Sequence, residues 1–204
     1  MVSEIPDFDT PPVNHFGALR FTRFTALKPA RLSKRFTLAG DALLKEGGGD
    51  LTEGIAERLI VADLAEFAAL LPTLKPNQAL SYGTNDQARA RVVTASALAG
   101  AAGQGGEPVI ARTRDYFTWP SGAGILMLDY DPPQDGPALS PVELRATLAA
   151  ACPALADAPA VWRPSASSCI YTHAGAELRG IGGQRLYVPV AEAADIPRAL
   201  KVLF

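Results

Sequence analysis

The sequence predicts an α+β fold, with a mixed, mostly antiparallel central sheet, helices packed on it and a smaller N-terminal α/β lobe closing a cleft. Three observations predict it. Apolar or alternating segments of strand length recur along the chain, several segments carry helix-start chemistry, and glycine- or proline-rich turns separate them. With 204 residues, 48% of them hydrophobic and 20% charged, the chain can bury one core, or two small lobes sharing one.

Residues 1–30 mix Pro, Asp, Asn and Phe without sustained periodicity and read as an irregular arm. Ser33 to Leu38 and Glu57 to Val61 read as strands, with Gly47-Gly48-Gly49-Asp50 as a flexible turn between them. The triglycine lacks the lysine and strand-to-helix setting of a phosphate loop. Asp63 caps a short helix that Pro72 stops. Tyr82 to Asn85 form a polar loop after a strand, and Asp86 to Ala102, rich in Ala and Arg, predicts a second helix ending at Gly103-Gln104-Gly105-Gly106. Pro108 to Arg112 is strand-like, and the aromatic stretch Asp115 to Pro120 connects it to Gly122–Asp131. These two strands would flank the aromatic connection at the sheet's centre. Ser140-Pro141-Val142-Glu143 combines an N-cap, a first-turn proline and a capping-box glutamate, opening a helix that runs to Cys152-Pro153. Val161 to Pro164 leads through the hydroxyl-rich Ser165 to Ser168 into a strand, and a glycine-rich turn at Arg179 to Gly183 feeds the strand ending at Val190. Asp195 caps a last helix that the chain end cuts short, which predicts a fragment of a longer protein.

No apolar run approaches the roughly 20 residues of a spanning helix, and the N-terminus has neither a basic start nor an apolar h-region. A cytoplasmic protein without a membrane partner is the expectation. Cys152, Cys169, His15 and His173 are too few and too scattered for a zinc site. The cysteines read as small core or near-core residues and the histidines as surface residues. A net charge of −2 gives the whole molecule no pull toward nucleic acid, so any such binding needs a local basic surface. Arg20, Arg23, Lys28, Arg31, Lys34 and Arg35, in a stretch without an acid, offer one.

The chemistry concentrates in Gly122 to Pro133, an apolar strand ending in Asp129 and Asp131. Period two puts both carboxylates on one face. Like charges aimed together repel unless a cation sits between them, and an oxygen-only donor pair suits Mg²⁺ or Mn²⁺. A solvated acidic turn ending a strand is the plainer alternative, since Asp-Pro-Pro stops strands.

The order of acidic strand, helix, serine-rich strand, Arg179-Gly-x-Gly-Gly-x-x-Leu-Tyr-Val-Pro-Val190 and Asp195-Ile-Pro-Arg198 resembles the archaeo-eukaryotic primase superfamily. The likeness is greatest to the primase-polymerase modules of plasmid, phage and mobile-element replication proteins. It covers roughly residues 34–204, and the domain would occupy 31–204, truncated at its C-terminus. The resemblance implies an RRM-like catalytic unit and metal-dependent nucleotidyl transfer from nucleoside triphosphates on single-stranded or primed DNA. It also implies a helicase as a further region or a separate partner. By it, Asp129 and Asp131 would be the catalytic, metal-holding pair. Ser165, Ser167 and Ser168 would donate to phosphate oxygens, Arg112, Arg179 and Arg185 would offset phosphate charge, and Gly182 and Gly183 would let backbone approach the nucleotide. Tyr116, Phe117 and Trp119 would pack in the core or stack on a base. The family's histidine position falls at Arg185, and its third acid is expected beyond Phe204. A binding module without turnover and a metal-dependent phosphoester hydrolase are the competing expectations.

Overall fold

The computed structural model describes residues 16–101 and 106–203. Its strands are β1 (Leu19–Lys28), β2 (Arg35–Ala39), β3 (Ala42–Glu46), β4 (Glu53–Val61), β5 (Gln78–Ser81), β6 (Arg89–Val93), β7 (Val109–Ala111), β8 (Gly124–Tyr130), β9 (Val161–Pro164), β10 (Ile170–Tyr171), β11 (Glu177–Arg179) and β12 (Gln184–Val190). The α-helices are α1 (Leu64–Leu70), α2 (Leu98–Ala101), α3 (Pro141–Ala151) and α4 (Ile196–Leu203). A five-stranded sheet has the order β5-β1-β4-β6-β7, antiparallel except for the parallel β6–β7 pair. A three-stranded antiparallel sheet has the order β8-β12-β9, and β2–β3 and β10–β11 are separate hairpins. The class is α+β, with the mixed, mostly antiparallel sheet that the sequence predicts.

Residues 19–28 correct the expectation of an irregular arm through residue 30, because they form β1, flanked by β4 and β5 in the larger sheet. Leu19 and Phe21 are buried on one face against Val61, α1 and the smaller sheet. Thr22, Phe24 and Ala26 are buried on the other face, where Phe24 and Ala26 pack with Ala56, Ala90, Val92 and Ile110. The burial changes face midway, so no single alternation runs through the segment to signal a strand. Residues 1–15, including His15, lie outside the described residues.

The helix expected over 86–102 is likewise corrected. Arg89-Ala90-Arg91-Val92-Val93 is a strand, and helix is confined to a short turn at Ala95–Ala97 and to α2. Ala90 and Val92 enter the core while Arg89 and Arg91 point the other way to carboxylates, which is period-two burial in residues of high helix propensity. Arg23, Glu57 and Arg89 are cross-strand neighbours on that face, with Glu57 bonded at 2.8 Å to Arg23 and 2.7 Å to Arg89. The expected end of that helix at Gly103–Gly105 lies outside the described residues. The hydrogen bond from Arg23, opposed by some burial and aided by both guanidinium charges, holds the Glu57 carboxyl below the usual glutamate range.

The core around Leu19 and Phe21 joins the two sheets, and a third core lies beyond the smaller one. Phe67 of α1 meets Phe21 and Tyr187 edge-on, each at 5.3 Å between ring centroids, so one helix residue joins both sheets. On the opposite face of the smaller sheet, Leu126, Leu128, Leu186 and Val188 pack with Ile196 and Leu200 of α4 and Leu148 of α3. The α1 and α3 starts form as the sequence predicts. Asp63 accepts from the Glu66 N–H at 2.8 Å, and Ser140 and Glu143 complete a capping box. The strands flanking the aromatic connection are not central: β7 and β8 are each an edge of their sheet, so the carboxylates lie on the rim of the smaller one.

Two measurements check this packing. Phe67→Ala removes a fully buried ring shared by both sheets and is expected to cost about 3–5 kcal/mol in denaturant unfolding. The stabilisation from Glu57 is complete above roughly pH 4.3, its unfolded-state pKa, and is lost as pH falls through the lower folded value. Glu57→Gln is therefore expected to lower stability by about 1 kcal/mol at neutral pH and to flatten the acid limb of a Tm-against-pH curve.

Candidate functional site

Hydrogen-bond register assembles the site. In β8, β12 and β9, Asp129 stands opposite Arg185 and Arg185 opposite Arg163, giving one rung of three charged residues across the sheet. The next rung on the same face is Asp131, Gly183 and Ser165, two residues on from Asp129 and Arg163 and, because β12 runs antiparallel to both neighbours, two residues back from Arg185. The Ser165 N–H donates to the Gly183 carbonyl at 2.8 Å, continuing the ladder beyond the regular strands. Face alternation is fixed from the other side, where Leu128 and Leu186 lie in the core and a one-residue slip would bury Arg185.

The side chains of the second rung close over Gly183. A Cβ there would lie 3.0 Å from Asp131 Oδ1 and 2.9 Å from Ser165 Oγ, so a larger residue would have to displace both oxygens. The serines close the far side. Ser165 Oγ lies 3.1 Å from Ser167 Oγ and 3.0 Å from Ser168 Oγ, and the buried Ser168 hydroxyl donates to the Gly183 carbonyl at 2.8 Å. Ser168 thus anchors the turn against the glycine strand, while Ser165 and Ser167 share a hydroxyl network beside Asp131. A Cβ at Gly182 would lie 3.2 Å from Ser168 Oγ, so that glycine also admits the turn.

Charge is balanced across the face. Arg185 Nε donates to Asp129 Oδ1 at 3.1 Å, with both side chains 43% exposed, while Asp131 and Arg163 have no ion-pair partner among the described residues. Burial works against the Arg185 charge, but its hydrogen bond and attraction to Asp129 outweigh that and hold the guanidinium firmly protonated. Tyr82 and Tyr187 lie next to the pair, their rings 6.0 Å apart. Burial first, then Tyr187, pushes the Tyr82 hydroxyl far above the usual phenol range, so it is neutral. Beneath the site, Gln184 is fully buried, accepting from Trp162 Nε1 at 2.8 Å and donating to the Leu139 carbonyl at 2.6 Å. That bond ties the loop after Asp131 to β12.

The structure joins Asp129, Asp131, Ser165, Ser167, Ser168, Gly182, Gly183 and Arg185, and separates two other predicted residues from them. Arg179 lies over the Phe36 ring at 5.8 Å, bridging the β10–β11 and β2–β3 hairpins. Arg112 lines a different cleft, together with Phe117 and Trp119. Tyr116 and His173 are exposed, and both cysteines are half-buried. Arg163 is the residue that sequence reasoning missed. Its signal was its place two residues before Ser165, which the strand period carries onto the serine's face.

Among the described residues no three His, Cys, Asp or Glu gather in one place, so Asp129 and Asp131 are the carboxylates available to a cation here. Mg²⁺ and Mn²⁺ bind through one or two carboxylates and complete their shell with phosphate oxygens and water. Trp162→Phe tests the support beneath the site: it leaves the buried Gln184 Oε1 without this donor and is expected to cost about 1–3 kcal/mol in thermal or denaturant unfolding. Comparison with protein-family models, curated proteins and solved structures finds no match to this chain.

Proposed function

We propose that the chain is a primase-polymerase domain acting in DNA replication of the plasmid or phage kind, which holds a nucleoside triphosphate with Mg²⁺ or Mn²⁺ on the β8-β12-β9 face. The observation that carries this reading is the pair of adjacent rungs, Asp129–Arg185–Arg163 and Asp131–Gly183–Ser165. Two acids and two guanidiniums sum to no net charge, yet each sign remains unsatisfied toward solvent. A metal-bound triphosphate complements both, with the cation on the carboxylates and the phosphates on the arginines. When bound, the cation would polarise the phosphate under attack and lower the pKa of an attacking hydroxyl.

The chain's own residues do the positioning. Asp129 and Asp131 are the metal-holding pair, Arg185 grips phosphate and orients Asp129, and Arg163 adds a second guanidinium on the same rung. Ser165 and Ser167 offer hydroxyls, and the missing Cβ at Gly183 lets Asp131 Oδ1 and Ser165 Oγ stand close together over the strand. In this reading the strand is single-stranded or primed DNA, and a helicase is the partner expected beside the domain.

A second reading, nucleotide binding without turnover, is favoured by the Asp129–Arg185 ion pair, which occupies one carboxylate oxygen of a two-acid site. A titration of Mn²⁺ with and without a nucleoside triphosphate, comparing wild type with Asp129→Asn, tests the shared claim. Wild type is expected to bind nucleotide at least ten-fold tighter with metal, and Asp129→Asn to lose that gain. An equal metal response from both proteins would overturn it. Incorporation on a primed strand then separates transfer from binding alone, and phosphate release without any strand would assign a hydrolase. Gly183→Ala is expected to weaken nucleotide binding about ten-fold with little change in Tm, because the new Cβ meets the ends of two movable side chains.

A further inference from the structure

We propose that the cleft between the 112–119 connection and α4 binds a segment of single-stranded nucleic acid, a site separate from the carboxylate face. The inference deepens the nucleotidyl-transfer reading by saying where a strand would lie. The cleft has a volume of about 790 Å³, and its lining includes Arg112, Arg114 and Lys201 but no acid. All three cations are exposed, and none has an ion-pair partner among the described residues. On a chain of net charge −2 the cluster contrasts with Arg23, Arg89 and Arg91 of the larger sheet, which are paired with Glu57, Glu107 and Glu53.

Aromatic rings share the lining with the cations. Phe117 and Trp119 line the cleft with Phe24, and Phe117 is held edge-on to Phe24 at 5.1 Å, so its position is set by the core of the larger sheet. The wall is built in advance of any ligand. Thr84 and Thr118 exchange backbone hydrogen bonds of 2.8 and 2.9 Å, and the Arg112 N–H donates to the Val93 carbonyl at 2.9 Å, fixing both ends of the connection. Basic side chains beside half-buried aromatic rings in an open groove match a flexible polyanion whose bases are free to stack. Duplex DNA keeps its bases paired and offers no face to the rings, and an acidic peptide offers charge without stacking.

The test is fluorescence anisotropy of a labelled oligothymidylate at several salt concentrations, without metal or nucleotide. Wild type, Arg112→Ala/Arg114→Ala and Asp129→Asn are compared. The double variant is expected to bind at least ten-fold more weakly at low salt, with a log K against log salt slope shallower by about 1.4, as loss of two phosphate contacts to a single strand requires. Its Tm should match wild type, since both side chains are exposed. Asp129→Asn should bind the oligonucleotide like wild type, so failure of the metal titration leaves this result standing. Unchanged affinity and slope in the double variant, or equal affinity for duplex or for polyglutamate, would overturn the proposal.

Discussion

Everything chemical about this molecule depends on the register of β12 between β8 and β9. Antiparallel pairing alone would bring these three strands together, but only one of the two faces can carry charge. Leu186 and Val188 must enter the core shared with α3 and α4, which commits Arg185 and Tyr187 to the opposite face. The same ladder then dictates that Arg185 stands between Asp129 and Arg163, and that Gly183 stands between Asp131 and Ser165. The site is thus a consequence of apolar patterning on the side away from it.

That face does not stay open along its length. Toward one end, Ile125 and Tyr187 are buried against Leu19, Phe21 and Phe67, where the smaller sheet meets the larger. Toward the other, the sheet frays into Asp131 and the serine turn, and side chains become exposed. The change from packed to wet occurs around Tyr82 and Tyr187, whose rings border the Asp129–Arg185 pair. A low-dielectric wall on one side of an exposed ion pair strengthens its interaction with an anionic or cationic ligand approaching from the other. The seam between sheets therefore both stabilises the fold and shapes the electrostatics of the site.

How much of this was legible in the sequence varies with the kind of signal. Local chemistry read correctly: the Asp63 cap, the Ser140–Glu143 capping box and the apolar strand carrying the two acids are all where their residues place them. The α+β class followed from those elements. Two strands of the larger sheet were misread, for different reasons. In β1 the burial switches face midway, and in β6 the residues Arg-Ala-Arg favour a helix in isolation, so only pairing with β4 and the carboxylates of Glu53 and Glu57 decides for a strand. Of the site, the acids and the glycine-serine pair were readable as types. The register that aligns Arg163 with Arg185, and that sends Arg179 away to Phe36, is set by contacts between segments far apart in the chain.

The presence of an arginine at position 185 constrains any activity here. A guanidinium keeps its proton throughout the accessible pH range, so this residue can bind, orient and neutralise but cannot accept a proton from a reacting hydroxyl. In the proposed reading its bond to Asp129 would compete with a metal for the same oxygen, and a phosphate arriving with that metal would offer the guanidinium an alternative partner able to accept two bonds at once. Exchange of one partner for the other would release Asp129 to the cation at the moment the nucleotide is gripped. Metal and triphosphate binding should then reinforce one another through this single side chain, a coupling that must act equally in both directions.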